Sequence, residues 1–233
     1  MLDNLNICLL CYRGNPYCGG QGIYIYNLSR ELALLGHKIT IIVGPPYPHL
    51  MPWARVIKVE NQNFWGKKKD FLPADRPFKI FMPMNFFEFA ISRTGYFPEI
   101  FAFSFRAFKK LKGILMRERI DVVHDIETLG YGILMAKIKG IPVVATVHHP
   151  LSRDMMAFLS LSKGFKERYY NIVFFPILMQ GIVARRIDRV ITSSFIGKEE
   201  LKSTFRIKDD RIRIIYSGTN TQVFKNIEGD WTK

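Results

Sequence analysis

Cysteine, acid and tryptophan are scarce in this chain. Among 233 residues there are three cysteines, Cys8, Cys11 and Cys18. Cys8 and Cys11 share one apolar run, and side chains three apart on a strand face opposite ways, which argues against a redox dithiol. Too few further ligands lie nearby for a zinc site, so reduced thiols in a cytoplasmic protein are expected. No Gly-x-x-x-x-Gly-Lys-Ser/Thr run occurs, which excludes a P-loop. There is no low-complexity tract and no internal repeat. The opening residues, Met-Leu-Asp-Asn-Leu-Asn, lack a basic region and a long apolar run, so no signal peptide is expected. Acids number 20 against 34 lysines and arginines, a net charge of +14. Such a field attracts nucleic acid, anionic lipid or phosphorylated substrates without choosing among them. RNA-binding modules interleave exposed aromatics with basic residues on a sheet face; no such motif is present, and nucleic acid is not the partner expected.

What is present is globular: 48% of the residues are hydrophobic and 23% charged. The organising stretch runs from Asn6 to Gly44. A short apolar run, Asn6 to Cys11, reads as a buried strand. Gly19-Gly20-Gln21-Gly22 follows, and from Ile23 the spacing turns helical through Ile25, Leu28, Leu32 and Leu35. Gly36 is a natural helix stop, and Ile39 to Val43 reads as a second buried strand. The result is a βαβ unit with parallel strands and a right-handed crossover. Its glycines lie where strand passes to helix, and there free N–H groups and the helix dipole can hold an anion. The alternative is that the glycines only permit close helix–sheet packing. A dinucleotide fingerprint is not met: Ile25 stands where a third glycine belongs, and the second strand ends Gly44-Pro45-Pro46 with no acid.

Further along, Arg55 to Val59 reads as a short strand and Trp65 to Lys69 as a basic turn. Phe71 to Phe105 is rich in Phe, Met and Pro, either a satellite core under a long loop or an acceptor- or membrane-facing surface. A helix is expected from Pro98, with an apolar stripe of Phe101, Phe105, Phe108, Leu111 and Leu115. Its other face carries Arg106, Lys109, Lys110, Lys112, Arg117 and Arg119, suited either to anionic lipid or to plain solvation. Ile120 to His124 is a third buried strand, and Thr128 can cap the helix that Gly140 ends. Ile141 to His149 is an apolar strand that places His148 at the carboxyl edge of a parallel sheet, where open α/β folds bind ligands. Lys163 to Arg186 reads as one long helix. Its apolar part, Tyr169 to Ala184, spans roughly 24 Å at about 1.5 Å per residue, short of the roughly 30 Å bilayer core, so a buried helix is expected. Ile187 to Ser194 and Arg211 to Tyr216 are the last strands, with a helix from Gly197 to Phe205 between them.

These stretches resemble the amino-terminal domain of family 4 glycosyltransferases. The matching residues are Gly19, Gly20, Gly22, Asn27, Leu28, Leu32, Gly36, His37 and Val43, then Asp121 to His124, the Thr146-Val147-His148 strand end, and Asp188 to Ser194. Gly218 and Phe224 keep register with a family segment that crosses into a second domain. Departures are Ile126 where a second histidine is common, His149 where Asp or Gly is usual, and Ser217 and Thr219. The resemblance implies an α/β fold: a Rossmann-like open parallel sheet with helices on both faces, one half of a GT-B fold. It implies an amino-terminal domain over residues 1–224 and, in 225–233, the start of a linker toward an absent carboxyl-terminal domain.

The activity so implied is retaining hexosyl transfer from a nucleotide-sugar donor to an acceptor hydroxyl, in glycolipid or cell-surface polysaccharide synthesis, with no cofactor and no obligatory metal. By resemblance His148 is the catalytic-site residue that contacts the transferred sugar. Gly19, Gly20 and Gly22 approach the donor diphosphate, and His124, His149 and Ser193 fall on the acceptor side. The implied partners are the donor, a lipid-linked or glycan acceptor, a carboxyl-terminal GT-B domain in cis or as a second chain, and an anionic membrane surface. Localisation is expected to be cytoplasmic, with peripheral attachment to a cytoplasmic or endoplasmic reticulum membrane face. The alternative is a non-catalytic subunit that binds acceptor or membrane and recruits a catalytic partner.

Overall fold

A computed structural model describes residues 4–17, 20–61, 77–219 and 221. The elements are β1 (Asn6–Cys11), α1 (Gly20–Leu34), β2 (Lys38–Val43), β3 (Ala54–Lys58), α2 (Pro83–Ser92), α3 (Glu99–Leu115), β4 (Val122–Ile126) and α4 (Leu134–Ile138). There follow β5 (Val143–Thr146), α5 (Leu151–Leu161), α6 (Phe165–Phe174), α7 (Ile177–Ala184), β6 (Arg189–Thr192), α8 (Phe195–Phe205) and β7 (Ile212–Ile214). The seven strands form one sheet in the order β3-β2-β1-β4-β5-β6-β7, and every pairing is parallel. The chain leaves β1 toward one edge and returns to build the other, so the order reverses between β1 and β4. A crevice opens at such a reversal, beyond the carboxyl ends of the strands.

Alternation along β1 divides the core in two. Ile7, Leu9 and Cys11 pack with Ile25, Ile39, Ile41 and Val43 on the α1 side. Cys8 and Leu10 pack with Ile100, Phe103, Leu111, Val183 and Leu201 beneath α3, α7 and α8. The two described cysteines therefore do face opposite sides of the sheet, and both are free; Cys18 lies outside the described residues. Helix α1 ends as expected: Gly36 takes φ 91°, and the His37 N–H donates to Leu32 O at 3.1 Å. Because the helix begins at Gly20, Gly20 and Gly22 belong to its first turn rather than to the loop before it.

Four expectations need correction. The long helix over 163–186 is two helices, α6 and α7, broken at Phe175-Pro176. Proline has no N–H to donate and pushes its predecessor to extended backbone; Phe175 has φ −87° and ψ 129°. Helix α6 buries none of its residues, whereas α7 buries Met179, Gln180, Gly181, Val183 and Ala184. On α3 the buried residues are Ile100, Ala102, Phe103, Ser104, Ala107, Leu111 and Ile114, one step round from the expected stripe. The small residues there allow close approach: a Cβ on Gly132 would stand 2.2 Å from Ser104 O. The large rings sit on the flank, Phe101 against Phe87 of α2 at 4.7 Å between centroids. Arg106 leaves the basic face and pairs with the buried Glu88. The aromatic stretch after residue 77 is a short 3₁₀ turn (Pro77–Phe81) followed by α2, not a long loop. Finally, Thr128 does not cap a helix: the Leu129 N–H donates to Asp125 Oδ2 at 2.8 Å, and the next turn is a 3₁₀ one entered through Gly130. The basic turn at Trp65 to Lys69, Phe71, Phe224 and the 225–233 linker lie outside the described residues.

Candidate functional site at the carboxyl edge of the sheet

Strand polarity brings the segments after β1, β4, β5 and β6 to one edge. The loop after β1 is tied down at Gly14, whose N–H donates to Pro46 O at 3.1 Å. It then folds against α1: a Cβ on Gly22 would stand 2.1 Å from Asn15 O and 2.7 Å from Pro16 N. What the missing side chain of Gly22 admits is thus the protein's own loop. Gly20 differs, since a Cβ there meets nothing within 4 Å among the described residues, and the residue is exposed. The first-turn N–H groups of α1 have no acceptor within the helix, so its open amino end suits an anion. Gly19 lies outside the described residues.

His148 follows the end of β5. Its backbone N–H donates to Glu127 Oε1 at 2.9 Å, and its ring meets that of Tyr24 edge to face, 4.5 Å between centroids. Its Nε2 is shielded from solvent and has no hydrogen-bond partner among the described residues. Behind it stands Thr146, the last residue of β5, whose Oγ1 lies 2.7 Å from His124 Nε2 and 3.3 Å from the Tyr24 hydroxyl. His124, on β4, is buried. Burial first, and then the charge of nearby His148, push its imidazole down to about 4, so it stays neutral near pH 7. Asp125 is fully buried, and burial pushes its carboxyl up to about 7 against the donated Leu129 N–H. His149 is exposed and turns to Asp154 at the start of α5, Nε2 to Oδ1 3.2 Å. Ser193 is half-buried in the bend after β6; its neighbour Ser194 caps α8, accepting the Gly197 N–H at 3.0 Å.

The sheet edge therefore gathers Gly20, His148 and Ser193, places His149 at its rim, and sets His124 one layer below through Thr146. Sequence reasoning assigned no role to Glu127, Gln21, Tyr24 or Thr146. Glu127 accepts from the Gln21 side-chain amide at 2.5 Å as well as from the loop after β5. The signals available for these were slight: an acid directly after a buried strand, and a glutamine inside the glycine cluster. Among the described residues no group of three or more His, Cys, Asp or Glu is placed to hold a metal ion.

Residues 18–223 match the model of Glycosyltransferase Family 4. The chain is 35% identical over 226 residues to an MMP alpha-(1->4)-mannosyltransferase of Mycolicibacterium hassiacum, aligning 97% of this chain with 54% of that protein. It is 27% identical over 231 residues to the phosphatidylinositol N-acetylglucosaminyltransferase GPI3 subunit of Saccharomyces cerevisiae, covering 94% of this chain and 40% of that one. The chain spans about half the length of the curated relatives it matches. Among solved structures, sucrose-phosphate synthase from Thermosynechococcus elongatus superposes with a TM-score of 0.64 at 15% identity, over 96% of this chain and 51% of that one. Anabaena Alr3699/HepE, solved in complex with UDP, gives 0.54 at 13% identity, over 96% and 47%. At such identities the likeness is one of fold, and the fold is one half of GT-B.

Proposed function

This chain belongs to Glycosyltransferase Family 4, and on that premise we propose that it is the acceptor-side half of a retaining hexosyltransferase. It moves a sugar from a nucleotide-sugar to an acceptor hydroxyl, with retention and without an obligatory metal. The donor's nucleotide is held by a carboxyl-terminal domain, in cis or as a second chain. Hexose as the transferred group is supported by the mannosyltransferase relative, and the second domain by the half-length match to the curated relatives.

The observation that carries the reading is His148 Nε2. A buried polar atom without a partner costs about 1–3 kcal/mol, and a sugar hydroxyl in the crevice would remove that cost. Gly20 lets an anionic diphosphate approach the amino end of α1, where N–H groups offset the charge that develops as the nucleoside diphosphate departs. His124 keeps Thr146 in place from behind.

A lipid-borne acceptor at a cytoplasmic membrane face is supported by the surface beside the site. Leu161, Phe165, Ile172 and Leu178 are exposed along α5 to α7, interspersed with exposed Lys163, Lys166 and Arg168, the pattern of an interfacial surface. No helix of the described residues is long and apolar enough to cross a membrane.

The test is turnover across a panel of sugar nucleotides, by the chain alone and by the full-length protein, each with and without His148→Ala. Turnover is expected only with the carboxyl-terminal half present, and His148→Ala should lower kcat by about 100-fold with melting unchanged. No turnover of any donor by well-folded full-length protein would overturn the reading. Full activity of His148→Ala would remove that residue's role.

A further inference from the structure

Glu127 directly follows β4 at the point where the strand order reverses. Its φ is 58°, and Leu129 two residues on has φ 45°. Side-chain-bearing residues hold such backbone only where their surroundings over-determine it. Here five hydrogen bonds do so. The Glu127 N–H donates to Thr146 O at 2.9 Å, and its carbonyl accepts from Gln180 Nε2 at 3.4 Å. Its carboxylate accepts the His148 N–H at 2.9 Å, the His149 N–H at 3.3 Å and the Gln21 side-chain amide. One side chain thus bridges the first turn of α1, beside Gly20, and the loop that carries His148.

We infer that Glu127 is a positioning residue that locks the amino end of α1 and the His148 loop at one fixed separation. The inference rests on the function proposed above, because only there do Gly20 and His148 address the same substrate. The carboxylate grips the His148 backbone and leaves its ring nitrogen free for substrate. The contorted backbone is what turns the Glu127 side chain back across the crevice instead of outward along β4.

Two variants of the full-length protein separate positioning from folding. Glu127→Gly deletes the carboxylate and relaxes the backbone, since glycine adopts positive φ freely. Glu127→Gln keeps the side-chain length and an acceptor oxygen for the His148 amide. Hydrogen exchange at the His148 and His149 amides, kcat, KM for the donor and the melting temperature are measured for each. Glu127→Gly should melt with the wild type, exchange its His148 amide about tenfold faster, and lose about 100-fold in kcat with donor KM little changed. Glu127→Gln should recover most of both. Unchanged exchange and kcat in Glu127→Gly would overturn the inference, as would a kcat loss that only tracks a lowered melting temperature. If wild-type protein turns over no sugar nucleotide, the proposed function fails, and the amide exchange alone decides whether Glu127 locks the loop.

Discussion

Gly20 and Gly22 stand two residues apart in the same helical turn, yet alanine should act oppositely at each. At Gly22 the new methyl would fall 2.1 Å from Asn15 O, 2.4 Å from Asn15 C and 2.7 Å from Pro16 N. All three are backbone atoms, so no rotamer change relieves the clash, and the loop after β1 must move. Overpacking of this kind costs about 1–3 kcal/mol, against which alanine's helix preference over glycine returns at most about 1 kcal/mol. Contacts this short to backbone belong at the upper end of that range, about 2–3 kcal/mol, so a net loss of about 1–2 kcal/mol is expected, which lowers the melting temperature by roughly 2–8 °C for a domain of this size. At Gly20 the methyl meets nothing within 4 Å among the described residues, so Gly20→Ala should leave stability unchanged or raise it by a few tenths of a kcal/mol. Urea unfolding and thermal melts of both variants beside the wild type decide the matter. Gly22→Ala as stable as the wild type, or a Gly20→Ala that loses as much, would refute the packing argument. In the full-length protein Gly20→Ala should weaken donor binding despite its intact fold, because the methyl intrudes where the diphosphate is proposed to sit.

Adjacent residues on β4 should respond to pH in opposite senses. Burial holds the His124 imidazole at about 4 against an ordinary 6.5, so the unfolded chain binds the extra proton first. Stability from this group is lost as pH falls from 6.5 through 4, by about 3 kcal/mol, because each tenfold change in proton affinity is worth about 1.4 kcal/mol. Asp125, pushed to about 7 from 3.8, keeps its proton in the folded chain and withdraws about 4 kcal/mol as pH rises through the same window. The two nearly cancel in the wild type. Asp125→Asn should therefore become distinctly acid-labile between pH 7 and 4, and His124→Gln the reverse, read by urea unfolding across that range; parallel profiles would refute it. Glu88→Ala takes the carboxylate from the Arg106 guanidinium, whose side chain is only 16% exposed and which keeps the neutral Asn85 Oδ1 as a hydrogen-bond acceptor at 2.6 Å; losing the charge partner should cost about 3 kcal/mol, with Glu88→Gln losing less in the same unfolding assay. Phe165→Asp and Leu161→Asp should reduce co-sedimentation with anionic vesicles while leaving the melting temperature unchanged. Equal sedimentation would detach α5 and α6 from the membrane reading.

The strands were legible because a parallel strand buried on both faces reads as a short continuous apolar run, and most of the strands carry such a run. The place of His148 at the carboxyl edge was legible for the same reason: the run from Ile141 carries it past the end of β5. Local chemistry also placed the helix stop at Gly36. Where the reading failed, long-range packing had overridden a local pattern. The heavy phenylalanines of α3 suggested one buried face, but Gly130 and Gly132 come within contact of Ser104, and the small residues Ala102, Ser104 and Ala107 are buried on that helix instead. The apolar run from Tyr169 suggested one helix, and Pro176 broke it because its ring and missing N–H act regardless of hydropathy.

By itself, then, the sequence determined an open α/β sheet and which segments reach its carboxyl edge, since both follow from periodicity and chain direction. Only the tertiary structure decided what meets there. Gln21 and Glu127 are 106 residues apart in the chain and share a hydrogen bond because β1 and β4 are neighbours at the reversal of strand order. The positive φ of Glu127, the space that, among the described residues, is open at Gly20 but closed at Gly22, and the His148 nitrogen without a partner among them all depend on segments distant in the chain, and no local pattern of residues encodes them.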